Sequence, residues 1–185
     1  ATHVGVSATI GASLARNTID TTTAAFVQKA AVASHDEGPV DVSITADSAA
    51  TDEAKSVALT VSYAGGGPAI SLSGCGAESL NVILTKTNAY LADSTIAGGD
   101  HVDDLRIAAT NTSTIDAKVA GISGSASVGK SGGAAAVGAA VARNYIGFDE
   151  DGKCQASEVQ AYLSNGNVEL GGELLLSAQA SESIA

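Results

Sequence analysis

The residues with the sharpest chemical spacing are Gly124-Ser125-Ala126-Ser127-Val128-Gly129-Lys130-Ser131, which fit G-x-x-x-x-G-K-[ST]. In a phosphate-binding loop this run makes a cradle of backbone N–H groups. The lysine reaches the β- and γ-phosphates, and the following hydroxyl ligates Mg²⁺. That chemistry needs a strand before the loop and a helix after it. Val119–Ser123 reads as strand, but Gly132-Gly133 is a poor first helical turn. The Ala-rich stretch beyond aligns with Gly11–Asn17, which itself reads as strand, and no apolar strand ending in Asp follows to hold a metal. The expected context is strand–turn–strand, with Lys130 exposed and no nucleotide bound.

Asp149-Glu150-Asp151-Gly152 resembles the start of a calcium loop, because alternate carboxylates and a Gly turn suit a hard cation. Asp149 and Asp151 are therefore the candidate Ca²⁺ ligands. Gln160 stands where the bidentate Glu would be, so the site is partial. Asp100, Asp103 and Asp104 form a second acidic cluster, read as solvated. His3, His35 and His101 are isolated, without zinc-like spacing. Cys75 and Cys154 lie outside any CxxC. They read as two unlinked thiols, with a disulfide as the alternative. There is no G-x-S-x-G elbow. Asp47, Asp52 and Glu53 against Asp116 could supply a carboxylate cluster for glycoside chemistry, but few aromatics are present to stack sugar rings. Asn111-Thr112-Ser113 is a glycosylation sequon. No catalytic residues and no organic cofactor are assigned.

The elements that must position these groups recur. Asn17, Asn81 and Asn144 open equivalent copies at steps of 64 and 63 residues. Alternating strands begin at Asp41, Asp104 and Glu173, at steps of 63 and 69. A fixed period points to a stacked architecture. Repeats are placed at about 4–66, 67–133 and 134–185 of a single domain, 1–185. Ile44, Ile107 and Leu176 occupy one inward column of period-two strands. Phe26, Tyr90 and Tyr162 share another column, an expected aromatic ladder counted with the core. Turn residues lie at His35–Pro39, Gly65–Pro68, Gly98–Asp100 and Asn165–Asn167, which suggests short strands and frequent turns. No segment carries an amphipathic helical stripe. The expected fold is all-β: a parallel β-helix (β-solenoid) of three ~63-residue repeats, about three coils of ~21 residues in each, roughly 40 Å long.

The composition agrees. Apolar residues make up 45% and aromatics 3%, with no Trp and no Met, so the core must be built from Ala, Val, Ile and Leu. The net charge of −11, from 20 acids and 9 bases, argues against nucleic acid and against a basic membrane-surface helix. The longest small-apolar stretch, Gly132–Ala142, is too short to span a bilayer, so no membrane insertion is expected. The opening ATHVGVSATIGA lacks the regions of a signal peptide. A start within a repeat and an end just after a strand favour a piece of a longer protein.

The pattern at Gly11–Asn17, Thr23–Ala33 and Val40–Asp47 recurs at Asn81–Ile96 with Asp104–Thr110. It recurs again at Gly138–Asn144 with Gln160–Val168 and Leu174–Ala178. It resembles the repeats of very large bacterial secreted exoproteins and adhesins of the autotransporter and haemagglutinin type. Two departures are the insertion at Phe148–Val159 and CGAESLN in the second copy. The resemblance implies a parallel β-helix with an extracellular or cell-surface location and no catalysis. The expected function is a structural and adhesive repeat module. Its expected partners are neighbouring repeats and cell-surface glycans or proteins. The alternatives are a carbohydrate-active β-helix enzyme of lyase or glycosidase type, and a filament subunit that self-associates end to end.

Overall fold

The computed structural model describes residues 3–33, 38–97, 102–155 and 157–185. His35, Asp100 and His101 lie outside them. Among the described residues there are ten strands and no helix. Four are long: β1 (Gly5–Gln28), β3 (Val40–Gly65), β4 (Pro68–Ala92) and β6 (Val102–Val128). The others are β2 (Ala31–Val32), β5 (Thr95–Ala97), β7 (Ser131–Ile146), β8 (Glu158–Ser164), β9 (Asn167–Glu169) and β10 (Leu174–Ile184).

The strands form three parallel sheets. The first runs β1-β4-β7, with β8 also on β4. The second runs β10-β6-β3, and the third β2-β5-β9. Each strand pairs with its own counterpart one repeat later: Asn17 with Asn81 and then Asn144, Ile44 with Ile107 and then Leu176. The chain therefore returns to its starting register after 63 or 64 residues, and after 69 to 72 where the β7–β8 insertion lengthens the third circuit. This corrects the expectation of about three coils per repeat, because one repeat makes one circuit. It also corrects the expectation of short strands, since β6 alone holds 27 residues. Small β-branched and Ala/Ser side chains alternate without interruption, so nothing breaks these strands between the glycine turns.

Among the described residues two turns recur from one circuit to the next. At the end of the first-sheet strand, Lys29, Asp93 and Asn165 take left-handed φ of 53°, 49° and 49°. Asp and Asn tolerate that region better than most residues. The other turn is Gly66-Gly67 between β3 and β4, repeated as Gly129-Lys130 between β6 and β7. Gly66 has φ 154°, and a Cβ there would meet the His3 carbonyl oxygen at 3.0 Å.

The interior has two regimes. Where all three sheets meet, Ile44, Leu91, Ile96, Val102, Leu105 and Ile107 make an aliphatic core. Farther along, only the first and second sheets face one another; past a small cluster at Ile83 and Ile115 the space between them narrows to Ser, Thr, Ala and Gly, with Cys75 and Val119 among them. Hydroxyls pair across this gap: Ser62 with Ser71 at 2.7 Å, Thr60 with Ser73 at 2.8 Å, Ser62 with Ser7 at 3.0 Å and Ser56 with Ser13 at 3.1 Å. We call this thin two-layer part the blade. Buried hydroxyls are tolerable because they find partners.

Candidate functional surfaces

Three side-chain ladders run across the repeats. The first is buried. The Asn17 amide donates to the Asn81 Oδ1 at 3.1 Å, and the Asn81 amide to the Asn144 Oδ1 at 2.8 Å. Asn81 is fully buried, so each amide satisfies the next. The second is aromatic: Phe26 stacks on Tyr90 at 5.2 Å and 8°, and Tyr90 on Tyr162 at 4.9 Å and 4°. Parallel pairing puts identical columns one strand spacing apart, which is stacking distance. The ladder stands on the outer face and not in the core where it was expected, with Phe26 55% and Tyr162 37% exposed. An even-numbered residue of β1 or β4 points away from the facing sheet.

The third ladder is acidic. The Asp41 carboxylate accepts from the Asp104 backbone N–H at 3.3 Å, and that of Asp104 from the Glu173 N–H at 2.8 Å. Sequence reading marked these acids as strand starts, and Asp104 also as part of a solvated acidic cluster, and missed that Asp41 and Asp104 each cap the next repeat. Their recurrence in one column was the available signal. Each carboxylate tethers the entry of the following strand, a charge-assisted bond.

The core column divides by position in the stack. Ile44 and Ile107 are buried, whereas Leu176 is 41% exposed on the edge strand β10. Arg106 faces outward.

Of the carboxylates considered for glycoside chemistry, Asp47, Glu53 and Asp116 lie on the outer face of the second sheet. Glu53 and Asp116 are register partners. Asp116 is held by Lys118 at 2.8 Å. Asp52 points the other way, into the interior. Its Oδ1 accepts from Asn17 at 3.0 Å, and its Oδ2 has no partner. Its counterparts are Ile115 and Ile184. Burial pushes the Asp52 carboxyl above its ordinary value of 3.8, and the Asn17 hydrogen bond opposes this only in part. The folded state thus holds its proton more tightly than the unfolded chain. The resulting penalty is present in full at neutral pH. It shrinks as pH falls through the folded value and is gone below the unfolded value. Asp52→Ile should raise stability at pH 7 by about 1–3 kcal/mol, the usual cost of an unsatisfied buried polar group. The advantage should fade as pH approaches about 4. Urea unfolding at several pH values checks this, and Asp52→Asn should flatten the same pH dependence without adding bulk.

Asp149 lies in the loop between β7 and β8. Its Oδ1 accepts from the Lys153 N–H at 2.8 Å and the Asp151 N–H at 3.0 Å, and its Oδ2 from the Gln155 amide at 2.8 Å. These bonds hold its carboxyl below the ordinary value, with the Lys153 N–H the largest cause. Asp151 pairs with Lys153 at 3.5 Å. Among the described residues no group of three or more His, Cys, Asp or Glu side chains gathers to hold a metal ion. The same loop leans on the outer face of the first sheet. Glu150 pairs with Arg16 and lines a groove with Leu80 and Arg143, and Leu80 and Val82 are buried despite pointing outward.

The G-x-x-x-x-G-K-S run is strand through Val128, a bend at Gly129-Lys130, then strand again. The lysine is exposed at the blade tip, and no helix N-terminus stands behind it. Cys75 is buried on β4 and Cys154 exposed in the β7–β8 loop, and the two are unlinked. His3 is exposed. No helix is long and apolar enough to cross a membrane among the described residues. No family model matches the chain, and comparison with curated proteins and with solved structures finds no match.

Proposed function

We propose that this chain is a segment of a β-solenoid that serves as a non-catalytic structural and adhesive module of a large extracellular or cell-surface protein. The observation that carries the reading is the register. Every long strand pairs with its own counterpart one repeat on, and the Asn, aromatic and acidic ladders follow that same step. Such an array grows by repetition and offers long repeated outer faces, which suits contact with extended partners such as surface glycans or neighbouring repeats. Fold alone does not give function. The reading leans on what the outer faces carry: an aromatic column of Phe26, Tyr90 and Tyr162 and an acidic column of Asp41, Asp104 and Glu173, in which Asp41 and Asp104 tether strands.

A carbohydrate-active enzyme is the competing reading, and its best carboxylates are Glu53 and Asp116 beside Lys118. Calcium at Asp149 and Asp151 is a secondary proposal that requires Asp149 to exchange its present N–H partners for the ion. End-to-end growth through the open strand edges is a further one. A glycan array run in parallel with a polysaccharide turnover screen tests the main reading. The expected result is saturable glycan or cell-surface retention with no product formed. Turnover that is lost in Glu53→Gln or Asp116→Asn would replace it with the enzymatic one.

A further inference from the structure

The blade is polar inside and apolar outside. Residues 4–15, 56–77, 119–129 and 131–142 contain no Asp, Glu, Lys or Arg, in a chain with 20 acids and 9 bases. Its two outer faces differ in relief. On the second sheet, β3 raises a rib of Val57, Leu59, Val61 and Tyr63, between 60% and 69% exposed. On the first sheet, the central strand β4 places Gly74 and Gly76 outward, and a Cβ built on either would meet nothing within 4 Å. Ile10 and Leu14 rise on one side of these glycines, and Val137 and Val141 on the other. The result is a short furrow over Gly74 and Gly76, bounded along the strand by Leu72, 52% exposed, at one end and by Glu78 at the other, with a groove of about 410 Å³ beside Ala12, Gly76, Glu78 and Ala139. Strands are spaced by ~4.8 Å, so the furrow between β1 and β7 is roughly 10 Å across, the width of one row of side chains.

We propose that the β3 rib of one copy of this chain packs into the β4 furrow of a second copy, stacking blades face to back. Both halves of the contact are present on one molecule, so the chain needs no other partner to cover either face. Glu78 at the end of the furrow is paired with Arg143, and the rib itself carries no charge, so the contact sets no like charges against each other. Strand geometry gives a footprint of about 30 Å by 14 Å per copy. With the relief of the side chains, the total buried area is on the order of 1,000 Å², the lower bound for a specific interface. Lipid is a poorer occupant. The blade edges at β1, β3, β7 and the part of β6 beyond Ile115 carry backbone N–H and C=O groups with no strand beside them. Hydrocarbon leaves such groups unsatisfied, while water at the rim of a protein contact does not. Because rib and furrow lie on opposite faces, the contact does not close on itself and extends into lateral rows. This inference is independent of the adhesive reading and of end-to-end growth.

Sedimentation equilibrium over roughly 1 µM to 1 mM tests it. Ile10→Lys with Val137→Lys blocks the furrow, and Leu59→Lys with Val61→Lys blocks the rib. All four positions point outward, so circular dichroism should remain that of the parent. The parent should gain mass with concentration, and each double variant should stay at 18.0 kDa. An equimolar mixture of the two should recover association that stops at twice that mass, since each supplies the half the other lacks. Should the lysine variants lose their sheet signal, Leu59→Ser with Val61→Ser gives the same readout. A parent that stays monomeric throughout would overturn the proposal. So would association that survives both double variants, which would mark edge pairing. Loss in only one variant would mark a symmetric contact, and flotation with neutral phosphatidylcholine vesicles in place of self-association would mark lipid.

Discussion

Ile107→Ala should lower the free energy of unfolding by about 2–5 kcal/mol, the range for truncating a buried aliphatic side chain. Ile107 is fully buried on β6, the middle strand of its sheet, with Ile44 on one side and Leu176 on the other. It belongs to the aliphatic core that the three sheets enclose. No neighbour can move in to fill the space, because each is pinned by its own row. Ile107→Asp should prevent folding, since an unpaired carboxylate would be held among aliphatic groups. Two controls sit close by. Arg106→Ala, on the outer face, should change stability by no more than about 0.5 kcal/mol. Leu176→Ala, in the same row but on the edge strand and 41% exposed, should cost less than Ile107→Ala, about 1–2 kcal/mol, because part of its surface is already in water. Denaturant unfolding of the four variants checks the ranking. A critical Arg106 with a dispensable Ile107 would mean the strand register is wrong by one residue.

Gly121→Val should cost about 3 kcal/mol, the upper end of the range for forcing bulk into a packed interior. Gly121 points into the blade, where a Cβ would lie 2.4 Å from the Ala139 carbonyl oxygen. The obstacle is backbone, which cannot rotate away as a side chain can. Gly138 is in the same position from the other side, 2.7 Å from the Gly121 carbonyl oxygen. The two sheets are close enough here to need glycine on both. Gly124→Val is the control. It lies three residues on, faces outward and has nothing within 4 Å of its Cβ. It should be neutral within about 0.5 kcal/mol, or slightly stabilising through strand propensity. Thermal melts of the pair give the comparison directly. Equal effects at both positions would mean that the blade interior is looser than the hydroxyl pairs across it imply.

The repeat and the strands were legible because they are written locally. The steps between Asn17, Asn81 and Asn144 reappear as hydrogen-bonded register, since parallel stacking places the same column of each repeat side by side. The column of Phe26, Tyr90 and Tyr162 reappears as stacked rings for the same reason. The strand–turn–strand context of Lys130 followed from Gly132-Gly133 and from alignment with the first repeat. The number of circuits per repeat was not legible. Turn residues at Gly98–Asp100 and Asn165–Asn167 look alike in sequence whether they separate short coils or punctuate one long circuit. Only the pairing partner distinguishes the two.

The amino-acid sequence by itself determined the period, the alternation of faces and the all-strand character, because each depends on the identity and spacing of neighbours along the chain. It did not determine which face is inside. In the core the aliphatic face turns inward, as at Ile44 and Ile107. In the blade Ser56, Thr60 and Ser62 turn inward, while Val57, Leu59 and Val61 face water. Period-two alternation is the same in both cases. The choice rests on how far away the opposing sheet stands, and here it stands close enough for hydroxyls to bond across the gap and for glycine to be required. The exposure of Leu176, the burial of Leu80 beneath the β7–β8 loop and the inward turn of Asp52 were likewise decided only in three dimensions. Each depends on what lies across from a side chain, and residues far apart in the chain supply that.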